Sequence, residues 1–221
     1  MRGASRFGWF AKQAGGGGGG WTITPGAVNI EGAVGTNTPT TPSGSVGDLL
    51  VSICINENAN GQTVSAGWDA RLHTSNGFGN IRLGVATRIA DGLADDTLTV
   101  TFSGSPTTGS QAAVLRISGH DAGTPYDVGA AVGANTTNPH VLPSISTTEG
   151  GALLLAFSGS PSPDLTSGPS GYTLVIQSEP AANSLLVWSK EATAAGSYGG
   201  EDITYSAGMS GVVAIIAINP A

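Results

Sequence analysis

Gly47-Asp48-Leu49-Leu50-Val51 and Gly150-Gly151-Ala152-Leu153-Leu154-Leu155 are the two stretches that decide how this chain is built. Each sets a glycine turn before a short apolar run, and four further pairs repeat the correspondence in the same order. Ala66-Gly67-Trp68 matches Ser170-Gly171-Tyr172, an aromatic after a small turn. Arg82-Leu83-Gly84-Val85-Ala86-Thr87-Arg88 matches Ser184-Leu185-Leu186-Val187-Trp188-Ser189-Lys190. Val100-Thr101-Phe102-Ser103 matches Ile203-Thr204-Tyr205-Ser206, and Val114-Leu115-Arg116-Ile117 matches Ile215-Ile216-Ala217-Ile218. The spacing is about one hundred residues each time, and five collinear matches read as a duplicated unit.

The matched runs read as strands. In Thr97-Leu98-Thr99-Val100-Thr101-Phe102 the residues Leu98, Val100 and Phe102 share one face. Val212-Val213-Ala214-Ile215-Ile216-Ala217-Ile218 is apolar on both faces, which predicts a central strand covered by a partner sheet and by a loop or neighbouring subunit. Composition agrees: 35 Gly, 12 Pro and 10% charged residues, with only Lys12 and Lys190 as lysines, suit strands and turns better than surface helices. Neither half buries its apolar face easily alone. The expected fold is therefore one all-β, two-sheet antiparallel sandwich, jelly-roll-like, built from two similar halves of about 46–120 and 150–221.

Ahead of it lie two other segments. Residues 1–20 form an arm in which Phe7, Trp9 and Phe10 precede the run Gly15–Gly20, a flexible tether. Exposed aromatics mark interaction surfaces, so Phe7, Trp9 and Phe10, with Arg2 and Arg6, are the expected anchor onto a partner. Residues 21–45 read as an extended linker with a short strand around Trp21-Thr22-Ile23-Thr24. The first ten residues lack the continuous apolar segment of a signal peptide, which predicts a protein made in a cytoplasm and kept there or released by lysis.

Charge narrows the partners. A net charge of −7, with few and scattered basic residues, argues against nucleic acid. The longest apolar run, near Val212 to Ile218, is too short for a membrane span.

Chemistry-bearing patterns are sparse. Cys54 sits inside the apolar run Leu49–Ile55 and reads as a small core hydrophobe. His73, His120 and His140 have no metal-ligand spacing, and His120-Asp121 with Asp127 reads as a polar loop. Asp91, Asp95 and Asp96 crowd one turn without the spacing of a calcium loop. Glu201-Asp202 is an acidic pair whose geometry sequence does not give. There is no Gly-x-Ser-x-Gly elbow, and Gly15–Gly20 lacks the Lys-Ser/Thr of a phosphate loop. No catalytic residue, metal or cofactor is assigned, and the protein is expected not to be an enzyme. Among the aromatics, Trp68 and Tyr172 hold matching positions and suit core packing, whereas Trp188 suits either face of its strand. Tyr126 and Tyr198, expected in Gly/Pro-rich loops, are the candidate ligand contacts.

The order Gly47-Asp48-Leu49-Leu50-Val51, Gly67-Trp68, Leu83–Gly92 and Thr99–Gly104 resembles β-sandwich proteins of tailed bacteriophages and of some bacterial surfaces. So does Ala113–Asp121 followed by Thr124-Pro125-Tyr126-Asp127. The resemblance covers roughly residues 46–220. It implies a head-decoration, fibre or minor tail component, and it carries no catalytic residue. The expectation that follows is a virion structural protein, made in the host cytoplasm and attached to capsid, portal-neck or tail proteins through its arm. Homo-oligomerisation is expected with it. The alternative is an adhesion module whose loops read a receptor or a host-surface glycan.

Overall fold

The computed structural model describes residues 20–32, 35–57, 61–75, 81–93, 96–104, 109–135, 137–161, 164–180 and 183–221, and every regular element named in them is a strand. The arm residues 1–19 lie outside them. In chain order the first half supplies β1 (Thr22–Pro25), β2 (Asn29–Glu31), β3 (Thr36–Asn37), β4 (Leu49–Glu57), β5 (Gln62–Val64), β6 (Asp69–Ser75), β7 (Ile81–Ile89), β8 (Val100–Phe102) and β9 (Ser110–Ser118). The second half supplies β10 (Tyr126–Asn135), β11 (His140–Val141), β12 (Ile145–Thr147), β13 (Leu153–Ser160), β14 (Leu165–Ser167) and β15 (Thr173–Ser178). It ends with β16 (Ser184–Glu191), β17 (Gly196–Tyr198), β18 (Asp202–Tyr205) and β19 (Gly211–Ile218).

The two main sheets share one plan. The first runs β1-β9-β4-β7-β6, with β2 also on β9, and the second runs β10-β19-β13-β16-β15. Each is backed by a small sheet, β3-β8-β5 in the first half and β11-β18-β14 in the second. The pair β12-β17 has no counterpart among the described residues of the first half. Correspondence reaches individual turns. Gly47 donates its N–H to Ala90 as Gly151 does to Ala192, and both glycines have positive φ. Edge strands β6 and β15 are both irregular one residue before the equivalent core side chains Leu72 and Ile176.

Pleating explains why the main strands are apolar throughout. On β4, Leu49, Val51, Ile53 and Ile55 face inward to the second main sheet, while Leu50 and Cys54 face outward to the small sheet. On β19, Val212, Ala214, Ile216 and Ile218 face the central layer, and Val213, Ile215 and Ala217 face the outer cores. Main sheets therefore lie between two cores each. The outer cover of β19 is the chain's own small sheets, where the sequence left open a loop or a neighbouring subunit.

Residues 21–45 are bonded into this frame. β1 and β2 pair with β9, and β3 pairs with β8, so the segment supplies the opening strands of the first half as 126–147 does for the second. Alternation in Thr22-Ile23-Thr24 is what lets Ile23 pack on the central core while its neighbours face out.

Candidate functional site

The two ends of the sandwich differ, and the arm joins at one of them. Thr22 pairs with Ser118, Leu49 with Ile117 and Leu153 with Ile218, so Gly20, the starts of β4 and β13 and the C-terminal residues gather together. There Ala221 donates its N–H to Gly119 at 2.9 Å. Trp21 packs against the central core and its indole Nε1–H donates to the Gly151 carbonyl at 2.9 Å. Because Trp21 leads into β1 of one half and Gly151 opens β13 of the other, this contact locks both halves at the point where the arm departs. Nine-residue strands such as β4 place the opposite end about 30 Å away. At that far end Gln111 Nε2 donates to the Asn183 backbone oxygen at 2.7 Å and to its side-chain oxygen at 2.6 Å.

Of the predicted contact residues, Phe7, Trp9, Phe10, Arg2 and Arg6 lie outside the described residues. Tyr126 is half-buried at the start of β10, packed on the central core, with the Arg71 guanidinium 4.0 Å above its ring. Burial pushes its hydroxyl up from the ordinary phenol value, against the opposing pull of Thr87 and Arg71. Tyr198 is half-buried on β17 against an outer core, and its hydroxyl donates to the Ala194 carbonyl at 2.7 Å. The two tyrosines thus belong to different layers, and the fold does not bring them together.

Tyr198 instead joins a cluster in the second half. Lys190 Nζ lies 4.9 Å from the Tyr172 ring centre and 5.6 Å from that of Tyr198, and pairs with Glu201 at 3.4 Å. Burial first, then Glu201 and Tyr198, push the Tyr172 hydroxyl up. The first half carries a counterpart. Arg88, at the position equivalent to Lys190, binds Asp96 at 3.0 Å, Asp91 at 2.5 Å and the Gly67 carbonyl at 3.1 Å, beside buried Trp68. A cation clasping the aromatic turn to the strand edge is therefore part of the fold's plan in both halves.

The same holds for the acidic and imidazole groups. Asp96 accepts from Arg88 and from the N–H groups of Asp91 and Gly92, so Arg88 stands where a cation would sit in that turn. Burial would raise Asp96, but those donors outweigh it and hold the carboxyl below its ordinary value. His140 is buried against Tyr205, ring centres 4.8 Å apart, and its Nε2 donates to the Met209 carbonyl at 2.8 Å. His120 bridges to Pro220, and Asp121 accepts from Gly123 and Thr124 in the following turn. Cys54 is buried, which pushes its thiol up and keeps it protonated. Trp188 is buried too, in the outer core of the second half.

Sequence reading missed Trp21 as a clamp. The available signal was a tryptophan directly after a glycine run and directly before an alternating strand. It also missed Gln111 and Asn183, which composition does not distinguish from loop residues. Compared with known proteins, the chain matches no family model, no curated protein and no solved structure.

Proposed function

We propose that the protein is a non-enzymatic structural component of a tailed-bacteriophage virion, displayed on the head or tail and attached through residues 1–20. The observation that carries this reading is the polarity of the sandwich. The arm leaves from a base locked by Trp21 and Gly151, and the strand ends Glu57, Ser75, Phe102, Ser160 and Ser178 lie at the other end. Such a body suits an appendage with a docked foot and an outward tip. The resemblance of residues 46–220 to phage sandwich proteins supports the same assignment.

In this reading Phe7, Trp9 and Phe10 bury in a site on a capsid, portal-neck or tail protein, each contributing about 1.5–3 kcal/mol if fully buried. Arg2 and Arg6 complement an acidic rim. The glycines absorb mismatch in angle or symmetry, and ordering them would offset part of the gain, so the arm docks while the tether stays loose. Homo-oligomerisation belongs to the same proposal and is read by size-exclusion chromatography with light scattering. The deciding experiment deletes residues 1–14. Loss from particles with an unchanged melting curve is expected; full occupancy of the truncated protein on particles overturns the anchor.

A receptor- or glycan-binding module is the second reading. It is favoured by the half-exposed Tyr198 ring standing beside Lys190 and Glu201, a surface that combines a stacking face with charged hydrogen-bonding groups. Tyr126, already covered on one face by Arg71, contributes less to it. Absence of signal on a glycan array at high protein concentration counts against this reading.

A further inference from the structure

The duplicated plan lets each half serve as the control for the other, and three neighbouring positions break the match. In the second half the outward face of β16 carries Leu186 and Trp188, paired with Ser158 and Ala156 of β13. In the first half the equivalent β7 residues are Gly84 and Ala86, paired with Cys54 and Ser52 of β4. On the neighbouring edge strand Ala70 stands opposite Ala86 where Leu174 stands opposite Trp188. Three large side chains of one half are thus small in the other.

Only part of that space is refilled. The Gln62 side chain lies across Gly84, where any Cβ would come within 2.1 Å of its Oε1. Space opposite Ala86 and Ala70 stays open as a cleft of about 230 Å³ between the main sheet and the small sheet. Its walls include Cys54, Val64, Ala70, Ala86 and Val100, with His73 at the rim. Ala70 and His73 are exposed, so the cleft opens to solvent along β6. Partial desolvation of its ring by the cleft walls, and then nearby Arg82, hold the otherwise exposed His73 below the ordinary imidazole value, leaving the rim imidazole neutral at pH 7. A closed apolar cavity of roughly 150 Å³ takes a benzene ring. This one is larger and has a mouth.

We infer that this cleft is a binding site for a small planar aromatic molecule of about bicyclic size. The occupant is argued from the molecule itself: the equivalent space in the second half is filled by an indole, that of Trp188, packed between β13, β16 and the small sheet. Apolar walls there enclose a flat ring, and the same frame with Ala86 and Ala70 has room for one of that size. Nothing in this inference depends on attachment through the arm.

The test titrates full-length protein with indole by calorimetry and follows backbone amide shifts by NMR. Saturable one-to-one binding is expected, with shifts centred on Val64, Ala70 and Ala86. Ala70→Trp, whose ring at the exposed edge would lie over the mouth, should weaken binding about 10-fold or more while leaving the fold intact. Ala86→Trp should abolish it, since its own ring takes the slot. No saturation up to the solubility of indole, or equal affinity in wild type and Ala70→Trp, overturns the inference. So does binding that emerges only in Trp9→Ala, which would make the arm the occupant.

Discussion

Trp188 and Ala86 occupy one equivalent position in the two halves, the first paired with Ala156 and Leu174, the second with Ser52 and Ala70. Trp188 is 2% exposed and among the largest fully buried side chains, so its half has closed around it. Trp188→Ala should cost about 3–5 kcal/mol by opening a cavity. Gly168→Ala should also destabilise, by about 1–3 kcal/mol, because a Cβ there would lie 2.5 Å from the indole nitrogen. Urea unfolding midpoints measure both. A Trp188→Ala loss under 1 kcal/mol would show that the half collapses to fill the space.

The clamp at the base makes a narrower prediction. Trp21→Phe keeps an aromatic ring on the central core but removes the donor to Gly151. A loss of about 0.5–1.5 kcal/mol is expected, with the urea m-value unchanged. A larger loss, or a second transition, would mean that Trp21 holds the halves together by more than this bond and its packing.

The two cation clasps differ in depth, and their variants should differ accordingly. Arg88 and Asp96 side chains are 8% and 13% exposed, against 25% and 21% for Lys190 and Glu201. Asp96→Asn leaves a nearly buried guanidinium with Asp91, the more exposed of its two carboxylate partners, and should cost about 1–3 kcal/mol. Glu201→Gln should cost at most about 1 kcal/mol. Thermal melts in parallel give the ranking, and the reverse order would refute the depth argument.

Acid should destabilise the protein in two stages. His140 is held below 6.5 chiefly by burial, against the Met209 carbonyl, and Asp96 is held below 3.8 by its donors. Both folded values are depressed, so each contribution is complete above the unfolded value and is lost as pH falls through the folded one. Melting temperature should therefore hold near neutrality, fall as His140 is forced to protonate, and fall again below about pH 4. His140→Gln should shrink the first stage, to which His73 and His120, also held low chiefly by burial, contribute the rest, and Asp96→Asn should shrink the second. A flat wild-type profile from pH 7 to 3 would contradict both.

Much of this fold was legible because it is written twice. The run Leu49–Ile55 alone does not distinguish a buried strand from a short buried helix, but its partner at Leu153 and the matched turns do. The four-layer build was not legible, since a strand apolar on both faces says that it is covered and not by what. Residues 21–45 hid their pairing because prolines and threonines dominate them, and ladder bonds to β9 use backbone that composition does not show. Tyr126 and Tyr198 read as loop residues because glycines and prolines surround them, whereas they open β10 and close β17, and their separate layers depend on sheet packing. The cleft was visible only as Ala86 standing opposite Trp188 in the repeat, a difference whose meaning needs the register.

The central layer joins two faces that belong to one polypeptide. Segment 119–125 tethers them, so their encounter is set by an effective concentration fixed by the short connection, independent of how dilute the protein becomes. A pairing that would otherwise follow mass action between separate copies is thereby unimolecular, and the folded body survives dilution that would dissociate a dimer of the same interface.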